Sequence, residues 1–83
     1  MTRTVRWTTR ALKDLRKIGA PEASRVVESI HQYATSGEGN IRRLQGIDPP
    51  LFRMRIGDLR VLFRQDEEVI DIERVLPRDK AYR

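Results

Sequence analysis

The sequence predicts an α+β domain in the order β-α-α-β-β-β, with an antiparallel C-terminal sheet and an N-terminal helical hairpin packed on one face. Three observations carry this. Apolar residues recur every three or four positions through the first half of the chain, they alternate with polar residues near the start and after Pro50, and Gly57-Asp58 links two alternating runs. The 83 residues are read as a single domain, 1–83. A domain of this size buries only about 60% of its unfolded surface, which disfavours a deep substrate cavity and favours a shallow binding surface.

Taken in order, Val5 and Trp7 alternate with Arg6 and Thr8, so residues 3–7 read as a strand with Trp7 in the core. Thr8 or Thr9 caps a first helix, whose apolar stripe is Ala11, Leu12, Leu15 and Ile18 and whose polar face is Arg10, Lys13, Asp14 and Lys17. Gly19 ends it. Pro21 opens a second helix over 21–35, with Ala23, Val26, Val27, Ile30, Tyr33 and Ala34 as its stripe. Gly19 and Ala20 alone join the helices, which makes them an antiparallel hairpin. Residues 36–50 carry two turn-rich breaks around Ile41-Arg42-Arg43-Leu44 and read as an exposed crossover. Leu51–Ile56 and Leu59–Arg64 form the hairpin, Asp66-Glu67-Glu68 turns the chain, and Val69–Glu73 with Val75-Leu76-Pro77 closes the sheet. The tail 78–83 is too short for an element of its own.

With 39% hydrophobic residues the chain can fold, while 35% charged residues crowd its surface. Lys+Arg outnumber Asp+Glu by 17 to 12, for a net charge of +5, which favours a polyanionic partner or an acidic protein. Only Lys13, Lys17 and Lys80 are lysines, so the cations are overwhelmingly guanidinium groups, planar forks suited to phosphate and carboxylate. The absence of cysteine excludes disulfides, Cys-ligated zinc and thiol nucleophiles, and the lone His31 excludes multi-histidine metal sites. No metal or other cofactor is expected. Neither a membrane-length apolar run nor a leader-like N-terminus is present, so a cytoplasmic protein without a membrane partner is expected.

Strand parity sorts the charge. In the simplest hairpin register Phe52, Met54, Ile56, Leu59, Val61 and Phe63 share one face, leaving Arg53, Arg55, Arg60 and Arg64 on the other. A solvated sheet face accounts for such a pattern as well as a binding face does. Two residues break the parity: Leu62 falls on the arginine face, and Arg74 shares parity with Ile70 and Ile72. A bulge, or a strand ending near Glu73, resolves the second. The carboxylates cluster apart, at Asp66, Glu67, Glu68, Asp71 and Glu73.

These residues resemble the RelE/ParE superfamily of bacterial toxins. The resemblance runs from Arg-Ala-Leu-Lys-Asp-Leu on the first helix, through Arg43-Leu44-Gln45-Gly46, to Phe52-Arg53-Met54-Arg55-Ile56-Gly57-Asp58-Leu59-Arg60-Val61-Leu62-Phe63 and Arg78-Asp79-Lys80-Ala81-Tyr82-Arg83. It implies a RelE-like fold and a toxin of a type II toxin–antitoxin pair. The chain is more similar to the RelE-like branch, which cleaves mRNA in the ribosomal decoding site, than to the ParE-like branch, which inhibits DNA gyrase. On that resemblance Arg53 and Arg55 match the basic pair before the glycine turn, Arg60 the arginine after it, and Arg78 and Tyr82 the C-terminal pair. Arg60, Arg78, Tyr82 and Arg55 are then the expected catalytic residues, with Arg53, Arg64, Lys13 and Lys17 binding RNA. The implied partners are an acidic antitoxin, mRNA on the ribosome with contacts to 16S rRNA, and a higher-order toxin–antitoxin complex. Many relatives carry lysines in place of Arg53 and Arg55, and a histidine where Pro77 stands.

RNA cleavage by the 2′-hydroxyl develops negative charge on phosphorus oxygens, which fixed guanidinium donors stabilise. A proton acceptor is harder to assign, because arginine stays protonated and Arg55 cannot replace a lysine base. Three alternatives stand: Tyr82 accepts the proton, Glu73 accepts it, or the ribosome supplies orientation and the toxin mostly supplies electrostatics. Tyr82 is equally suited to anchor the C-terminus or stack on a base, and His31 reads as a half-buried helix residue. A gyrase inhibitor of the ParE type and a non-catalytic RNA-binding member of the same fold are the competing readings.

Overall fold

The computed structural model describes residues 2–80. Strand β1 (Thr4–Trp7) is followed by helices α1 (Thr9–Ile18) and α2 (Ala20–Ser36), then by strands β2 (Ile41–Arg43), β3 (Phe52–Ile56), β4 (Leu59–Gln65) and β5 (Val69–Pro77), and by a 3₁₀ turn at Arg78–Lys80. The sheet order is β1-β5-β4-β3-β2. β1 runs parallel to β5, and the other neighbours are antiparallel. The expected α+β class and helical hairpin are present, with one strand more than the sequence pattern indicates. That strand, β2, lies in the segment read as an exposed crossover. Its three residues hold one apolar side chain, too few for an alternation to show, and pairing with β3 creates the strand.

Thr8 caps α1, its hydroxyl accepting from the Ala11 N–H at 3.1 Å. Gly19 alone separates the helices, ending α1 and opening α2 at φ 88°, where an L side chain is strained. The Gly19 carbonyl accepts the first α2 bond, from the Ala23 N–H at 2.9 Å. The stripe of α1 is rotated from the expected one. Leu12 is 45% exposed, whereas Asp14, read as part of the polar face, is buried beside Ala11. Val27 is likewise exposed, and Val26, Ile30, Tyr33 and Ala34 face inward.

Between helices and sheet lies one core, in which Met54, Ile56, Val61, Phe63, Ile70, Ile72 and Val75 meet the inward residues of both helices. Phe63 is fully buried, with its ring centroid 5.7 Å from both Tyr33 and Phe52. Burying such a side chain stabilises the fold by about 1.5–3 kcal/mol. Trp7 packs on the same cluster, as expected.

A bulge in β5 reconciles the parity of Arg74. Pairing passes from Leu62↔Arg74 to Phe63↔Ile72, so Glu73 is an extra residue on β5. Ile72 and Val75 thus both face the core, and Arg74 turns to the opposite face. β1 ends opposite Ile72, and the start of α1 closes the remaining edge of β5. The Thr8 N–H donates to the Ile72 carbonyl (3.1 Å), the Thr8 hydroxyl to the Glu73 carbonyl (3.0 Å), and the Val75 N–H to the Asp14 carboxylate (2.9 Å). Arg74 adds two bonds to Asp14, at 2.8 and 3.3 Å.

Burial pushes the Asp14 carboxyl up, but the Arg74 and Val75 hydrogen bonds and the charges of Arg74 and Arg10 together hold it below its ordinary value. Its stabilising contribution is therefore complete above the unfolded value of about 3.9 and is lost as pH falls through the lower folded value. Asp14→Ala strands the Val75 N–H and is expected to cost about 1–3 kcal/mol, read as a fall in Tm of roughly 4–8 °C per kcal/mol. Asp14→Asn, which keeps an acceptor, loses less at neutral pH and flattens the acid limb of a Tm-against-pH series.

Candidate functional site

Residues directly opposite one another in an antiparallel pair point to the same side, so the register defines the face turned away from the helices. Arg42, Arg53, Leu62 and Arg74 form one row across it, and Arg55, Arg60 and Leu76 form the next. Arg64, Asp71 and Arg6 form a third. The four arginines grouped from the sequence, Arg53, Arg55, Arg60 and Arg64, do share this face. Arg6, Arg42 and Arg74 join them. Arg6 was readable from the alternation of β1, while Arg42 depends on the unrecognised β2 and Arg74 on the bulge.

Carboxylates also reach this face, contrary to their expected segregation. Arg6 grips Asp71 through two bonds of 2.7 and 3.0 Å, and its guanidinium holds the Asp71 carboxyl below the usual carboxylate range. Arg64 meets Glu73 at 3.1 Å, and Arg74 is held by Asp14. Among the described residues, no carboxylate lies within ion-pair distance of Arg42, Arg53, Arg55 or Arg60.

Of these, Arg55 and Arg60 sit in the row beside the β3–β4 turn, and Arg42 and Arg53 in the row beyond it. Arg55 and Arg60 are directly opposed across the strands, a like-charge pairing that by itself destabilises a sheet. The two guanidinium groups resolve this differently. Arg60 is only 6% exposed and folds back on the turn, its Nη1 donating to the carbonyls of Gly57 (3.1 Å) and Leu59 (2.9 Å). Its Nε and Nη2 make no hydrogen bond to another described residue. Arg55 is exposed, and Arg53 donates to the Asn40 side chain at 3.2 Å. The Arg78 N–H donates to the Asp58 carbonyl at 2.9 Å, which ties the exposed Arg78 to the same turn.

One row farther from the turn on the same face, a shallow groove of about 280 Å³ has Leu51 and Leu62 in its lining, together with Arg10, Arg64, Arg74 and Glu73. Leu62, an exception to the parity, is thus an apolar floor between arginines. Glu73 enters this groove because it is the bulge residue, so β5 does border it. Lys13 and Lys17 are exposed on α1, but Arg10 is the α1 cation that lines the groove. His31 is exposed on α2 rather than half-buried. Tyr82 lies outside the described residues.

The arrangement offers one held guanidinium, that of Arg60, with exposed arginines around the same turn, and a carboxylate beside an arginine in the adjoining groove. It suits a phosphodiester, whose oxygens take bidentate guanidinium bonds. No helix among the described residues is long and apolar enough to cross a membrane.

Comparison with known proteins follows the same lines. No curated protein sequence matches the chain. A chain of the toxin–antitoxin complex RelBE2 from Mycobacterium tuberculosis is 30% identical, with 94% of this chain and 100% of that one covered and a TM-score of 0.81. For the archaeal RelE–RelB complex from Pyrococcus horikoshii OT3 the identity is 25%, the coverage 98% and 100%, and the TM-score 0.78. The DinJ–YafQ toxin–antitoxin complex of E. coli, at 11% identity, full coverage of both chains and a TM-score of 0.78, shares the fold alone. The family model described as the ParE toxin of the type II toxin–antitoxin system, parDE, matches residues 5–82, and with the β-α-α-β-β-β-β order it shows that the chain belongs to this toxin family and has the RelE/ParE fold.

Proposed function

We propose that the chain acts as a metal-independent, ribosome-dependent mRNA endonuclease, held silent by an acidic antitoxin. One observation carries the reading: Arg55, Arg60 and Arg78 surround a single turn, and no described carboxylate lies within ion-pair distance of them. Sheets avoid directly opposed like charges, so a face that keeps them is suited to a partner that supplies the negative charge. Arg60, pinned by two carbonyls, presents its remaining nitrogens without having to be ordered first, the condition under which a donor best stabilises a developing phosphorane-like dianion. Arg78 is exposed beside it and suits the leaving 5′-oxygen. Glu73, held against Arg64, is the proton acceptor we assign for the 2′-hydroxyl, since no arginine can serve. Solved relatives in complex with antitoxins support the proposed partner.

A second reading, inhibition of DNA gyrase, is favoured by the ParE description of the matching family. Mapping mRNA 5′ ends on translating ribosomes, in parallel with a gyrase supercoiling and DNA-cleavage assay, separates the two. New cuts within codons are expected; intact mRNA with trapped gyrase–DNA breaks would replace the endonuclease reading.

Arg60→Ala is expected to lower cleavage by about 100-fold or more, with a much smaller loss of antitoxin affinity. Because Arg60 also holds the turn, the exposed Arg78→Ala is its control: cleavage falls while the melting curve stays unchanged. Glu73→Gln is expected to lower the rate by about 100-fold with an unchanged melting curve. A cleavage rate equal to that of wild type would exclude Glu73 as the base.

A further inference from the structure

On the helix side of the same turn a second, open groove of about 400 Å³ lies between α2 and the end of β3. It exists because β2 pairs only with Phe52–Met54 and the Asn40 carbonyl takes the Arg55 N–H at 3.0 Å, so that this edge of β3 is open beyond Arg55. Arg25 from α2 and Arg55 from β3 both line it, with Gln32 and Asn40 as neutral polar neighbours. Its single carboxylate, Glu38, is engaged by the Gln32 amide at 2.9 Å. Arg25 has no described carboxylate within ion-pair distance. The guanidinium of Arg25 lies against Gly57: a Cβ at that position would sit 3.3 and 3.5 Å from its two terminal nitrogens. Gly57, at φ 57°, is therefore bracketed, since Arg25 covers it from the helix side and Arg60 binds its carbonyl.

We infer that this groove is a second phosphate subsite, anchored by Arg25, which takes an RNA phosphodiester and continues the arginine face around the β3–β4 turn. The inference rests on the RNA-directed function proposed above. Arg55, whose side chain belongs to the arginine face, lines the groove at the strand edge, so the two surfaces meet there. The lining favours a phosphate over an acidic peptide, because its apolar members Met54 and Ile56 are only 1% and 7% exposed and leave no pocket for a peptide side chain. The planar fork of Arg25, with amide donors beside it, suits the non-bridging oxygens of a backbone that carries no sequence information.

The phosphodiester belongs either to the messenger or to ribosomal RNA, and two binding arms distinguish these sources. Wild type, Arg25→Gln and Arg25→Lys are titrated across a salt series with a 2′-O-methylated oligoribonucleotide, which cannot be cleaved, and with vacant ribosomes. Arg25→Gln is expected to weaken one arm by about five- to tenfold and to lower its salt slope by about 0.7, the value for one phosphate on a single strand. Arg25→Lys is expected to keep the slope and lose part of the affinity. Unchanged affinity and slope for Arg25→Gln in both arms, with wild type binding normally, would overturn the subsite alone. Failure of wild type to bind either RNA would overturn the subsite together with the function it rests on. Loss of binding to an aspartate-rich peptide, with RNA binding intact, would overturn it in favour of a peptide groove. Superimposable melting curves establish that Arg25→Gln is folded.

Discussion

The hydrogen bond from the Val75 N–H to the buried Asp14 carboxylate joins the helical hairpin to the edge of the sheet. β1 covers β5 only as far as Ile72, and an uncovered strand edge invites wrong pairing. A carboxylate delivered by α1 closes that edge. Its charge would be unfavourable in a buried position without Arg74, and Arg74 reaches it only because the extra residue at Glu73 has turned the strand. The same bulge puts Glu73 beside Arg64 in the groove lined by Leu62. One irregularity thus seals the fold and places Glu73 in the groove of the arginine face.

Crowding seven arginines on one side of a small sheet is electrostatically costly, and the structure offsets this by three routes. Arg6, Arg64 and Arg74 have carboxylate partners. Arg60 is bound by backbone carbonyls, which carry no formal charge and so leave its positive charge uncancelled. Arg53 likewise takes a neutral acceptor, the Asn40 side-chain oxygen, and Arg42 and Arg55 remain in water. The division is spatial: the paired arginines lie on β1, β5 and the far part of β4, the others on β2, β3 and the part of β4 beside the turn. The net +5 of the chain is thereby expressed most strongly on the β2–β3 side of the sheet, where an anion is attracted most.

Much of this was legible in the residues themselves. Phe52-Arg53-Met54-Arg55-Ile56 and Leu59-Arg60-Val61-Leu62-Phe63 around Gly57-Asp58 specify both the hairpin and its register, because a slip of one residue would expose every core side chain. Thr8, Gly19 and Pro21 mark the helix ends by capping and backbone geometry. By contrast, Leu12 and Asp14 exchanged their expected places, since Ala11, Asp14, Leu15 and Ile18 also follow helical spacing and only a waiting N–H and guanidinium make the carboxylate the better choice. β2 was hidden by its brevity. Arg25 was hidden on a solvent-facing part of α2, with no local feature to set it apart from Arg16 or Lys17.

The sequence by itself determined the class of fold, the hairpin and the sorting of Arg53, Arg55, Arg60 and Arg64 onto one face, because period and turn chemistry act over a few neighbouring residues. Tertiary structure alone decided which of those charges are cancelled, which edge is sealed and which distant residues meet at Gly57. Those outcomes depend on pairs such as Asp14 with Arg74, 60 residues apart in the chain, and on Arg25 lying over a turn of another layer. Local periodicity carries no information about such partners until the layers pack.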